Sequence, residues 1–183
     1  GVVGEDAGAE ALRALCVAAP GLDCRLLAVP ARPTTVKTRY LSGWHQLLRV
    51  DTEDASPLAG DVVTELLSVT AAALEDAAAV VLSDYAKGVL DAATIPGLIG
   101  LARQRGIPII VDPKKADAAI FAGATLLTPN ADEMARFAGM RIGSDGEAEE
   151  AGRRLLAAVE VDAVLITRGE HGMTLCRRKE PAL

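Results

Sequence analysis

From Leu58 onward the chain repeats one pattern: a short uncharged aliphatic run, a polar turn, then a longer stretch with helical spacing. The runs at 79–82, 108–111, 124–127 and 163–166 hold no charged residue. A strand without charge on either side is built for burial on both, and intervening helices make its neighbours parallel. The pattern therefore predicts an α/β fold of three layers, α/β/α, around a mainly parallel sheet. Helices are expected over 58–74, 91–105, 131–138 and 147–159, with a short one over 118–122. Residues 173–176 are expected to begin a hairpin-like continuation after the last parallel strand.

The earlier part of the chain is organised differently. Val2-Val3 ends a strand, Gly4-Glu5-Asp6 turns, and 7–19 forms a helix stopped by Pro20-Gly21. A short strand is expected over 24–29. Residues 34–41 and 46–50 alternate around Gly43, which predicts a β-hairpin with one polar face. No internal repeat, low-complexity tract or linker interrupts the chain, so 1–183 is read as a single domain with 33–51 as a small β lid. The chain opens at Gly1 without a Met and closes at Pro181-Ala182-Leu183 just after an apparent strand, and both ends are expected to be cut.

Composition removes several function classes. A net charge of −6 disfavours nucleic acid as a main partner, since phosphate-backbone binding wants a basic surface. It leaves room for a phosphorylated small molecule held by a few local cations. Aromatic residues make up 3% of the chain, so the core must be assembled from Ala, Val, Leu and Ile. No apolar run approaches bilayer length and no signal peptide is present, so no membrane role is expected. Cys16, Cys24 and Cys176 lack CxxC spacing and are expected to be idle thiols in a reducing cytoplasm.

Ligands of parallel α/β sheets bind outside the carboxyl ends of the strands. Four strand ends carry polar groups: Ser83-Asp84, Asp112-Pro113-Lys114, Thr128-Pro129-Asn130 and Thr167-Arg168-Gly169. A single such group is ordinarily a helix cap, but four in register point to a site. Asn130-Ala131-Asp132-Glu133 reads equally as a capping box and as a helix start that organises phosphate and hydrated Mg²⁺. Thr167 to Gly172 reads either as a tight turn or as a glycine-containing phosphate loop. Lys37, Arg39, Arg49 and Lys114 are the cations best placed to meet an anionic substrate, with Lys37 and Arg39 on one hairpin face. A solvated strand edge guarded by Lys would look the same. His45 and His171 are expected to be turn residues without a catalytic part.

Several segments resemble the ribokinase-like (PfkB) carbohydrate kinases. They are Gly1-Val2-Val3-Gly4-Glu5-Asp6, Leu82-Ser83-Asp84-Tyr85-Ala86-Lys87-Gly88, Val111-Asp112-Pro113-Lys114, and Leu126-Leu127-Thr128-Pro129-Asn130 with Glu133. Together with Arg32-Pro33-Thr34-Thr35-Val36-Lys37-Thr38-Arg39 and Leu48-Arg49-Val50-Asp51, they resemble most the D-glycero-β-D-manno-heptose 7-phosphate kinases. The resemblance implies a ribokinase-like fold and ATP-dependent phosphorylation of the anomeric O1 of heptose 7-phosphate, in ADP-heptose biosynthesis. It implies ATP at Asn130, Ala131, Asp132, Glu133, Thr167, Arg168, Gly169 and Gly172, with Glu133 serving Mg²⁺ through water. Lys37, Arg39, Arg49, Asp84, Lys87, Asp112 and Lys114 would surround the sugar phosphate, and the lid would also be a homodimer contact. The family's late Gly-Ala-Gly-Asp motif, source of the catalytic base, is absent, as is its early sugar-binding segment. The base is expected beyond Leu183, and the chain alone is expected to be a weak or inactive kinase. Another ribokinase-like kinase, acting on fructose phosphate, ribose or a nucleoside, and a non-catalytic nucleotide- or sugar-binding protein are the alternatives.

Overall fold

The computed structural model describes residues 1–114 and 117–178, and the chain end at 181–183 lies outside them. Two compact units emerge, one of 1–69 with 87–89 and one of 70–86 with 90–183.

In the first unit, β1 (Val2–Val3) pairs in parallel with β2 (Leu27–Ala28), joined through α1 (Ala7–Ala18). Asp6 caps α1 by accepting from Ala9 N at 2.9 Å, and its second oxygen accepts from Thr34 N at 2.8 Å. Thr34 Oγ1 in turn accepts from Gly4 N at 2.9 Å. The Gly4-Glu5-Asp6 turn is therefore a structural knot between β1, α1 and the segment before the hairpin. Gly4 is required there because a Cβ would overlap the Arg32 carbonyl oxygen. β2 is shorter than the expected 24–29 strand, and Cys24 is instead joined to Cys16 by a disulfide, which corrects the expectation of idle thiols for these two, while Cys176 is a free, buried thiol as expected. The Pro20-Gly21 turn brings the two Cα atoms to 5.9 Å, within disulfide reach, a proximity that sequence spacing does not display.

β3 (Val36–Ser42) and β4 (His45–Thr52) form the antiparallel hairpin, with a bulge between Tyr40 and Leu41. The alternation places Lys37, Arg39, Arg49 and Asp51 on one face and Val36, Tyr40, Leu48 and Val50 on the other. After it, α2 (Gly60–Ala73) leads out of this unit.

The second unit carries the five-stranded sheet: β5 (Val80–Ser83), β6 (Ile109–Asp112), β7 (Leu126–Leu127), β8 (Ala163–Thr167) and β9 (Met173–Arg177), in that spatial order. The first four are parallel and β9 returns antiparallel to β8. Its helices are α3 (Ile95–Gln104), α4 (Ala131–Ala138) and α5 (Asp145–Ala158). α3 packs on β6, α4 on β8, and α5 on β8 and β9. Ile109, Val111, Leu127, Val164 and Ile166 are fully buried, each contributing about 1.5–3 kcal/mol of apolar burial. Alternate residues such as Ile110 and Leu165 are only half-buried, so one sheet face is packed more tightly than the other. α3 starts four residues later than the expected 91. Asp91 instead makes a turn, its carboxylate accepting from Ala93 N and Thr94 N at 2.9 and 3.1 Å.

Candidate active site

The parallel register brings the four polar strand ends together on one rim of the sheet. Ser83 stands beside Asp112 across β5 and β6, and Asp84 N donates to Asp112 O at 3.0 Å. Thr128 N donates to Val111 O at 2.9 Å, and Asn130 forms a parallel bridge with Thr167. Asp84, Asp112, Asn130 and Thr167 therefore lie along one edge, as the sequence pattern requires.

Their side chains do different things. Asp84 is buried and accepts from Ala86 N at 2.7 Å and Lys114 N at 3.3 Å, so it ties the β5 loop to the β6 loop. Asp112 is half-buried, and burial pushes its carboxyl up from the ordinary range. The Lys114 ammonium opposes that shift, while the Glu133 and Asp84 carboxylates add to it. Lys114 donates to Glu133 Oε1, and this bond holds the ammonium above its ordinary pKa. Glu133, 3% exposed, also closes the capping box: its Oε2 accepts from Asn130 N and Asn130 Oδ1 accepts from Glu133 N, both at 2.9 Å. The capping and functional readings of Asn130 and Glu133 are thus not exclusive, since the box aims the α4 N-terminus outward while Lys114 binds its acidic member.

Beside this cluster a cleft of about 340 Å³ is lined by Asn130, Ala131, Asp132, Ile142, Gly143, Thr167, Arg168, Gly169 and His171. The α4 N-terminus and the turn after β8 form two of its sides. That turn is a short 3₁₀ segment, Gly169–His171, closed by Arg168 N donating to Gly172 O at 2.9 Å. Gly169 and Gly172 have φ of +59° and +75°, backbone that favours glycine. Ile142 and Gly143 between α4 and α5, and the exposed Asp145 at the start of α5, were missed by sequence reasoning, since a loop and a helix start carry no signal of what they face.

Lys37 and Arg49 of the hairpin, and Lys87 in the loop after β5, belong to the first unit and are engaged by carboxylates. Lys37 Nζ donates to Asp51 at 2.9 Å and Glu53 at 3.3 Å, Arg49 to Asp51 at 2.8 Å, and Lys87 to Glu53 at 2.6 Å. Arg39 sits directly opposite Arg49 in the ladder and makes no ion pair among the described residues.

Solved structures define the fold class. The chain aligns over its full length with Arabidopsis thaliana ribokinase complexed with ribose and ATP (TM-score 0.75, 20% identity, 58% of that chain). Escherichia coli phosphofructokinase-2 in complex with potassium matches similarly (TM-score 0.74, 17% identity, 58% of that chain). The architecture is ribokinase-like α/β. Residues 1–182 match the model of the pfkB family carbohydrate kinases, and the chain belongs to that family. Among curated relatives, the bifunctional protein HldE of Caulobacter vibrioides is 49% identical over the whole chain and 38% of its own length. The HldE protein of Pseudomonas paraeruginosa is 43% identical over the whole chain and 37% of its own length. The chain thus spans little more than a third of the relatives it matches.

Proposed function

We propose that the protein is an ATP-dependent kinase that phosphorylates the anomeric O1 of D-glycero-D-manno-heptose 7-phosphate, a step toward ADP-heptose. The observation that carries this reading is the rim on which Asp84, Asp112, Lys114, Asn130 and Glu133 meet beside the 340 Å³ cleft. Family membership supports a carbohydrate substrate, the motif resemblance to the heptose 7-phosphate kinases supports heptose among them, and the ribokinase complex with ATP supports the nucleotide.

In this reading the triphosphate enters the cleft over the α4 N-terminus. The amides after Asn130, with the Thr167 hydroxyl, the Arg168 guanidinium and the Gly169 amide, are then the donors to its oxygens, and Gly172 shapes the turn by donating its N–H to Gly169 O at 3.2 Å. Asp132 and Glu133 keep the opening turn acidic, and Lys114 offsets that charge. Phosphoryl transfer is mostly positioning and charge stabilisation, which is what such donors supply. Asp84, Asp112 and Lys114 are offered to the sugar from the sheet rim. Lys37, Arg39 and Arg49 of the hairpin and Lys87 after β5 are the cations proposed for its phosphate, Arg39 being the one without a carboxylate partner among the described residues.

The donor chemistry fits a hydrated Mg²⁺. Mg²⁺ keeps most of its waters and takes one or two carboxylates with substrate phosphates. No group of three or more potential ligands stands together among the described residues, so no dry protein cage is built. Glu133 would hold the ion through water, and the ion would supply neutralisation of the phosphate charge. Val36, Tyr40, Leu48 and Val50 are 41–52% exposed on one hairpin face, which supports a homodimer through the hairpin. The location proposed for the kinase is the cytoplasm; separately, no described helix is long and apolar enough to cross a membrane.

A coupled assay on the full-length natural protein, with ATP and a panel of sugar phosphates, tests the reading. Turnover is expected with heptose 7-phosphate. Preference for fructose phosphate, ribose or a nucleoside would replace the substrate, and nucleotide binding without turnover of any sugar would replace the kinase with a binding protein.

A further inference from the structure

We infer that Asp145 is a positioning residue of the cleft: by gripping Arg168 it ties the turn after β8 to the loop before α5. The inference deepens the nucleotide reading above and rests on it only for the ligand. Arg168 leaves the end of β8, and its side chain is 10% exposed. Its Nη2 donates to Asp145 Oδ1 at 2.7 Å across 23 residues of sequence. Asp145 is 84% exposed, and this ion pair is the contact the structure gives its carboxylate. Both residues belong to the second unit.

Asp145 is well anchored to serve as one end of a brace. It opens α5 directly after the cap Ser144, whose hydroxyl accepts from Glu147 N at 3.3 Å. Glu147 Oε2 accepts from Gly143 N at 2.8 Å and Ser144 Oγ at 3.1 Å. The Gly143 bond, the largest cause, holds the Glu147 carboxyl below its ordinary pKa. Ile142 and Gly143 line the cleft, so the loop pinned by Glu147 is one of its walls. Arg168, Gly169 and His171 line the other. The Asp145–Arg168 pair is thus the described ionic link between two walls that share no β-ladder.

A second observation bears on how the guanidinium is held. Arg168 Nε–H is buried with no acceptor. A buried donor without a partner is uncommon and costly, so it calls for an explanation. An arginine offers five N–H groups in a fixed fork. With Asp145 taking Nη2, the Nε–H stays unspent and enclosed behind the cleft wall that Arg168 forms, so the ion pair fixes where the guanidinium sits. The sign of the effect separates positioning from simple charge. Deleting a carboxylate near an anion site would tighten anion binding by Coulomb attraction alone. Loss of a brace weakens it.

The test compares Asp145→Ala, Asp145→Glu and wild type by two readouts. Amide hydrogen exchange in the free chain reads the brace. Asp145→Ala is expected to speed exchange at 168–172 about fivefold, leaving α5 beyond its first turn and the β6–β8 ladder unchanged. Calorimetric titration with ATP and Mg²⁺ reads the ligand. Asp145→Ala is expected to bind about fivefold more weakly, with partial recovery in Asp145→Glu. Unchanged exchange at 168–172 overturns the brace whatever the nucleotide does. Unchanged or tighter ATP binding by Asp145→Ala overturns its role in the site. Failure of wild type itself to bind ATP counts against the nucleotide reading, while the exchange data still decide the brace.

Discussion

Asp112 carries the clearest electrostatic consequence of the rim. Its carboxyl is raised chiefly by burial, so the folded state holds its proton more tightly than the unfolded chain does. Ionisation of this group therefore subtracts stability as pH climbs through the carboxylate range, the opposite of Asp51, whose hydrogen bond to Lys37 lowers its pKa. Asp112→Asn should be more stable than wild type in urea at pH 7, with the difference shrinking toward pH 3. An equal difference at both pH values would contradict this. Gly152 makes a second prediction at this scale. A Cβ there would overlap Cys176 Sγ where α5 packs on β9. Gly152→Ala should cost roughly 1–3 kcal/mol in urea unfolding, and Cys176→Ala in the same chain should restore part of it. The sequence marked Asp112, Lys114 and Glu133 individually. That Lys114 would bond Glu133, and that one carboxylate would serve both cap and ion pair, needed the register of β6 and β7.

The strands and α4 were the elements most legible beforehand. Uncharged runs stopped by Ser83-Asp84, Asp112-Pro113 and Thr128-Pro129 leave little choice of where a strand ends, because Pro removes a ladder donor and Asp favours a cap. α4 was readable from end to end, since Asn130 and Glu133 mark its start and Gly139, in left-handed conformation, its stop. Asn130→Ala removes the acceptor for Glu133 N and should lower stability by about 1 kcal/mol, seen as a reduced urea midpoint at constant slope. β2 and the start of α3 were less legible for opposite reasons. The 24–29 run is apolar enough for a strand, yet only Leu27–Ala28 find a partner in β1. Thr94 precedes α3 fully buried, and the Asp91 turn spends the residues that periodicity would have assigned to a helix.

At the scale of the molecule, the mainly parallel sheet followed from the alternation of uncharged runs and helices, and family membership followed from motif order. Pairing between distant residues did not. Arg168 with Asp145 and Cys16 with Cys24 depend on turns whose path is set by tertiary packing, and neither pair has a spacing that identifies it. The cations illustrate the same limit: Lys37 and Arg49 are expected to meet an anionic substrate and Lys87 is placed there by the family resemblance, but the Asp51 and Glu53 carboxylates that engage all three carry no signal in the sequence pattern. The central claim is that the polar strand ends of β5–β8 form the phosphate-handling site. Amide NMR shifts of the chain, titrated with ATP and Mg²⁺, test it most directly. The largest shifts are expected at Asp112, Lys114, 130–133, 142–143 and 167–172, with Val80, Ile109 and Ala163 at the opposite strand ends unmoved. Shifts concentrated at those starting residues, with the rim silent, would contradict it.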